Sequence, residues 1–177
     1  MNPYDIGWLA GILDGEGSVV LVQHSEVRSS DGRRGISPRL LLAVADFSIL
    51  QKYTSLLSEL GIPYGYVRQL PGGRRQHTIV QVWIANHEAI IKLLKLVLPY
   101  LTLKQRQAEF IVRFCEWKME NSERLCQRGG PIDRSIQDKE QTWWTEYRTV
   151  YMGKARSHAR DLDEAIREKA TPIRWPS

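Results

Sequence analysis

Gly7-Trp8-Leu9-Ala10-Gly11-Ile12-Leu13-Asp14-Gly15-Glu16-Gly17-Ser18, "GWLAGILDGEGS", is the stretch from which the rest of the chain is read. It is an apolar run with helical spacing that carries two glycines four residues apart and ends in two carboxylates separated by a glycine. At 3.6 residues per turn, Gly7, Ala10, Gly11 and Asp14 fall at i, i+3, i+4 and i+7, one stripe of small side chains running toward an acid. Ile6, Leu9 and Leu13 share another face. Each interior glycine costs about 0.8–1.0 kcal/mol of helix propensity relative to alanine, so the pair asks for a compensating contact. Either the stripe lets another backbone approach closely, as small-residue helix pairs do, or it clears a neighbouring helix of the same chain. Spacing alone leaves both open.

The two acids stand against the negative end of the helix dipole. A divalent cation would reverse the sign of that disadvantage. A hard cation such as Mg²⁺ takes oxygen ligands and keeps waters, and the Glu16 carboxylate with the Gly15 carbonyl would supply two such oxygens. The competing reading is a polar turn whose acids face solvent.

Working outward, Asn2 before Pro3, with Asp5 in the first turn, starts a helix near Pro3, and "DGEGS" stops it near Asp14. "SVVLVQHSEV" has the β-branched content of a strand. After the polar loop "RSSDGRRGIS", "PRLLLAVAD" reads as a second strand, with Asp46 capping the helix "FSILQKYTSLLSEL", which ends at Gly61. "YGYVRQL", the turn "PGGRR" and "QHTIVQVWI" form a hairpin, and "NHEAIIKLLKLVLPYL" is a helix closed by Pro99. "LKQRQAEFIVRFCEWKMENSERL", "QDKEQTWWTEYRTVYM" and "DLDEAIREKA" read as further helices, broken at "QRGGPID". The fold class is α+β: an αββαββα core over about residues 3–120 with a four-stranded antiparallel sheet, plus a C-terminal helical extension over about 121–177.

The 177 residues, 42% hydrophobic and 25% charged, fit one domain. No run of about eighteen apolar residues exists, and "MNPYDIGW" lacks the basic-then-apolar order of a secretory leader, so a soluble intracellular protein with no membrane partner is expected. Cys115 and Cys126 fit neither a disulfide framework nor a zinc site. The net charge of +5 is unevenly placed. Residues 66–77 hold Arg68, Arg74 and Arg75 with no acid, and residues 24–39 hold Arg28, Arg33, Arg34 and Arg39 against Glu26 and Asp31. Such clusters in strand-and-turn sequence suit a polyanion.

Residues 9–17, "LAGILDGEG", resemble the signature of the LAGLIDADG homing endonucleases, and the order helix, two strands, helix, two strands, helix is that family's. "LTLKQRQAEF" is similar to its lysine segment after the third helix. The resemblance implies Glu16 as the metal-binding carboxylate, Gly15 as a carbonyl ligand, Asp14 as a shaper of the helix end and interface within the catalytic centre, and Gly7, Ala10 and Gly11 as the helix–helix contact. It implies Mg²⁺ as cofactor, with Mn²⁺ or Ca²⁺ able to take the same sites, and Lys104 as a group that organises water or stabilises transition-state charge. A chain with one signature implies an isologous homodimer acting on a long, roughly palindromic double-stranded DNA site. Some members carry a polar residue at the end of the second strand; here Val44 and Ala45 stand there.

An antiparallel ribbon can enter a major groove with alternate residues facing the bases. By parity, Arg39 opposes the apolar Leu40, Leu42 and Val44, Tyr66 and Arg68 share a face of the third strand, and Gln76 and Thr78 belong to the fourth. These are the expected readers, with Arg28, Arg33, Arg34, Arg74 and Arg75 expected to grip phosphate from loops. "GKARSHAR", residues 153–160, is a further phosphate contact on this reading. The rival function on the same fold is a binding protein without nuclease activity, an RNA maturase or a DNA-binding regulator, which would keep the sheet and the pairing helix but not need the acids.

Overall fold

The computed structural model describes residues 1–27, 34–69, 78–122 and 133–152. The chain runs α1 (Pro3–Gly15), β1 (Gly17–Val27), β2 (Arg34–Val44), α2 (Phe47–Glu59), β3 (Gly65–Gln69), β4 (Ile79–Ile84), α3 (His87–Val97), a 3₁₀ turn (Leu98–Tyr100), α4 (Gln105–Glu120), α5 (Arg134–Tyr147) and a π-helical turn (Arg148–Met152). The αββαββα order expected from sequence is present. One boundary differs in kind: β2 begins at Arg34, so "RGIS", read as loop, is strand.

Helix starts follow local chemistry. Asn2 accepts from the Asp5 N–H at 2.9 Å, Asp46 from those of Ser48 and Ile49, Asn86 from that of Ala89 and Asp133 from that of Ser135. These are N-cap bonds that satisfy orphan donors of a first turn. α4 is the exception, because Lys104 in the cap position makes no side-chain cap bond.

All strand pairs are antiparallel and the order is β1-β2-β4-β3. Residues directly opposite in such pairs share a face. Val19, Leu21, Ile36, Leu40, Leu42, Val44, Val82 and Ile84 lie on one face and are buried in a single core with Leu9 and Leu13 of α1, Tyr53 and Leu57 of α2, Ile90 and Leu94 of α3, and Phe110 and Phe114 of α4. Among the described residues, no strand residue of the opposite phase is buried. The helices therefore cover one face and leave the other open.

α1 and β1 meet at Gly17, where a Cβ would lie 2.8 Å from the Leu13 backbone, so the turn "DGEGS" can be this tight only with glycine there. α5 packs on α4 and the sheet through a cluster of rings. Trp143 stands edge-on to Phe110 with centroids 5.1 Å apart, and Tyr147 and Tyr151 close on the same ring. No helix among the described residues is long and apolar enough to cross a membrane.

Candidate metal and nucleic-acid site

The carboxyl end of α1 and the loop before α4 hold each other. Asp14 Oδ2 accepts from the Thr102 N–H at 2.6 Å and the Leu103 N–H at 3.1 Å, and Oδ1 accepts from the Lys104 N–H at 3.0 Å. In return the Lys104 ammonium donates to the Leu13 carbonyl at 2.8 Å and to the Asp14 carbonyl. The exchange ties the loop that leads into α4 to the end of α1, and gives α1 a cation on carbonyls that its helix leaves unpaired.

Burial pushes the Asp14 pKa up, but the three backbone N–H bonds and Lys104 outweigh it and hold the carboxyl below the usual aspartate range. Burial pushes the Lys104 ammonium below the usual lysine range, against the pull of the Asp14 and Glu16 carboxylates. Two of the three ammonium donors are spent on α1, which leaves one.

Glu16 is different. It is the exposed C-cap of α1, and its carboxylate makes no hydrogen bond with the described residues. Its neighbour Gly15 has nothing within 4 Å of where a Cβ would stand. A carboxylate and a helix-end carbonyl are hard oxygen donors of the type Mg²⁺ takes while keeping waters. No group of three His, Cys, Asp or Glu side chains among the described residues could hold a metal; what Glu16 and Gly15 offer is two oxygen donors.

The glycine stripe is likewise open. Gly7 and Gly11 are exposed, and a Cβ on either would meet nothing within 4 Å. Among the described residues no helix lies there to need clearance. Ala10 does not share this position, for it is 1% exposed and belongs to the chain's own core. The open stripe is Gly7, Gly11 and Gly15, with Tyr4 exposed at its start, and Asp14 beside it is half-buried and occupied by the α4 loop.

On the sheet, Arg39 is half-buried on the open face, opposite Val20, and its Nε has no hydrogen-bond partner among the described residues. Ser18, Val22, Ser37, Leu41, Gln81, Trp83 and Val67 share its phase. Trp83 lies across Gly65, where a Cβ would come within 2.5 Å of the indole. Sequence reasoning did not select these residues, although Ser37 and Leu41 alternate in step with Arg39.

Tyr66 and Arg68 are a correction. They pair with Val82 and Val80, and therefore stand on the helix side of the sheet, at its edge. Tyr66 is 69% exposed because β3 is an edge strand, not because it faces the open side. With Phe47, Leu50 and Thr54 of α2 they line an apolar cleft of 310 Å³. Thr78 precedes β4 and is half-buried. Arg34 begins β2, while Arg28, Arg33, Arg74, Arg75, Gln76, Cys126 and the segments "GKARSHAR" and "DLDEAIREKA" lie outside the described residues. Cys115 is buried in the core, where burial pushes its thiol up to about 12.

No protein-family model matches the chain, and no curated protein matches it in sequence. Solved structures do match in shape. The group I intron-encoded homing endonuclease I-CeuI, complexed with DNA, superposes with a TM-score of 0.55 at 13% identity, over 69% of this chain and 58% of that one. The meganuclease I-SmaMI, bound to uncleaveable DNA, gives 0.54 at 18% identity over 71% of this chain and 40% of that one. The homing endonuclease I-CvuI, in complex with its target in the presence of Ca, gives 0.53 at 17% identity over 70% of this chain and 74% of that one. The fold is that of the homing endonucleases. It is the fold that "LAGILDGEG" implied.

Proposed function

We propose that the chain is a site-specific double-strand DNA endonuclease that acts as a two-fold homodimer with a divalent metal, Mg²⁺ by preference. The observation that carries the reading is the end of α1: a Glu16 carboxylate with no hydrogen bond among the described residues, a Lys104 ammonium held beside it, and an exposed glycine stripe that no described helix covers. Pairing α1 with its copy through Gly7 and Gly11 would bring two Glu16 residues to one place, one for each strand of DNA. The single signature in the chain fits that arrangement, and the solved homing endonucleases of this fold include complexes with DNA.

In the reaction, Glu16 and the Gly15 carbonyl of each copy would hold the cation, which when bound polarises the scissile phosphate and eases ionisation of water. The chain's own residues do the rest. Asp14 fixes the loop that carries Lys104, so the lysine reaches the helix end as a placed cation rather than a mobile one. Its remaining N–H can stabilise charge that grows on the phosphate or orient the attacking water. Arg39, with Ser18, Ser37 and Gln81 on the open face, would face the major groove while the helices stay behind the sheet.

The test is cleavage of a randomised double-stranded DNA library with Mg²⁺ or Mn²⁺. Wild type is expected to select and cut one long, roughly palindromic site, and Glu16→Gln to bind it while cutting about 10²–10³-fold more slowly, the scale on which losing a charge-stabilising group acts. Binding of one sequence by wild type without cutting in either metal would assign the chain to the regulator or maturase reading, the latter if the bound partner is RNA.

A further inference from the structure

The hairpin β1–β2 outruns the sheet. The last residues joining β2 to β4 are Leu40 and Ile84, whereas β1 and β2 continue through Gln23–Ile36 to Val27–Arg34. From Gln23 to Val27 β1 takes four steps while β2 takes two from Ile36 to Arg34, so the ribbon carries an irregularity two residues deep just beyond the Gln23–Ile36 pair. A two-stranded ribbon is marginal alone, and an irregularity of this sort bends and twists it. Its direction therefore has to be set at the base.

The base is held by a buried charge from far away in sequence. The Ile36 N–H donates to Glu140 Oε1 of α5 at 3.2 Å. The same oxygen takes the Lys118 ammonium of α4, and Glu140 is 6% exposed, the one buried charged residue among those described. Lys118 also stands over the Phe114 ring, 5.8 Å from its centroid. Seven residues on along α5, the Tyr147 hydroxyl donates to the Val19 carbonyl at 3.3 Å and accepts from Gln107 at 3.0 Å. One face of α5 thus grips β1 and β2 at two points, one of them beside the irregularity. A buried ion pair of this kind is a poor source of net stability and a better one of a fixed arrangement.

We propose that Glu140, with Lys118 as its partner, is a positioning residue for target recognition: it sets the angle of the β1–β2 ribbon, and so the place at which that ribbon meets DNA. This rests on the nucleic-acid reading above. Glu140 touches no DNA on this account and acts only through Ile36. Its effect falls on the base pairs farthest from the centre of the site, which the ribbon reaches, and not on the centre or on the chemistry.

The experiment uses the full chain and the DNA site that wild type selects from a randomised library, and scores preference position by position. Glu140→Ala is expected to lose about tenfold or more of the discrimination at the outermost positions, the scale of a contact misplaced at one base pair. Central discrimination and the cleavage rate at saturating DNA should stay within about threefold. Glu140→Gln, which still accepts from the Ile36 N–H, should restore part of the outer preference. Should Glu140→Ala fail to fold, the double variant Lys118→Met with Glu140→Met removes charge and acceptor together, a replacement that buried pairs tolerate, and is expected to fold and lose outer preference. Uniform loss at every position, or unchanged outer preference in a folded variant, overturns the proposal while the nucleic-acid reading stands. Failure of wild type to select any sequence overturns both.

Discussion

Asp14 and His87 show how single titratable groups are placed by neighbours that lie far off in sequence. Asp14 was legible as an acid at a helix end, but its partners, Thr102, Leu103 and Lys104, come from a loop nearly ninety residues away, and no local pattern announces them. Asp14→Ala is expected to cost about 0.5–1.5 kcal/mol, since of the three N–H groups it releases two are exposed and can turn to water and only that of Lys104 is part-buried, read as a lowered urea midpoint. The same variant should slow cleavage with little change in DNA affinity, because it is Lys104 that loses its seat. His87 opens α3 and is half-buried, with its pKa lowered by burial and then by the nearby Lys118 ammonium. A lowered value means that the folded chain refuses a proton which the unfolded chain accepts below about pH 6.5, so stability is full above that pH and falls as pH drops toward the folded value. The slope contributed there cannot exceed about 1.4 kcal/mol per pH unit, the limit for one proton. Denaturant midpoints measured from pH 7 to 5 should fall for wild type and flatten for His87→Gln; equal slopes in the two proteins would contradict the assignment.

Among the elements, α1 was the easiest to read and β3 the hardest. The stripe of Gly7 and Gly11 follows from helical spacing, and its coverage does not: none of the described residues lies over either glycine. That separates two effects of one mutation. Gly11→Ala removes an interior helical glycine without meeting any atom of the described residues, so the isolated protomer should gain up to about 1 kcal/mol, while Gly11→Leu should leave the protomer folded and prevent pairing of α1 with its copy. Sedimentation at several concentrations checks this, and a Gly11→Leu protein that remains dimeric would remove α1 from the interface. Ala10, which the same spacing grouped with the glycines, faces inward because a stripe spanning i to i+7 is wider than one contact line. For β3, parity was legible and polarity was not. Tyr66 and Arg68 do share a face, but a five-residue edge strand with polar and apolar residues on both sides does not say which face the helices cover. Only the register against Val82 and Val80 settles it. Arg39 could be placed from sequence because Leu40, Leu42 and Val44 beside it are an unbroken apolar series.

At the scale of the whole molecule, the order of the first seven elements was legible and the place of the C-terminal third was not. Trp143, Tyr147 and Tyr151 recur at helical spacing, which identifies a helix but not the surface it joins. That surface is Phe110 and Phe114 of α4 and the edge of β1, and meeting it makes α5 part of the core rather than an appendage. The distinction has a measurable consequence. Ending the chain at residue 132 removes the buried Ile136 and Tyr147 and uncovers the rings that Trp143 closes. At about 1.5–3 kcal/mol for each large apolar side chain taken from the interior, the loss is comparable with the roughly 5–15 kcal/mol by which a domain is stable at all. The shortened chain should therefore lose its cooperative thermal transition and its near-UV circular dichroism, whereas a chain ending at Met152, which keeps all of these contacts, should melt cooperatively. If the chain ending at residue 132 melted like the one ending at Met152, α5 would be an accessory to a core complete without it, and the hold of Glu140 on the β1–β2 ribbon would have to be read as incidental.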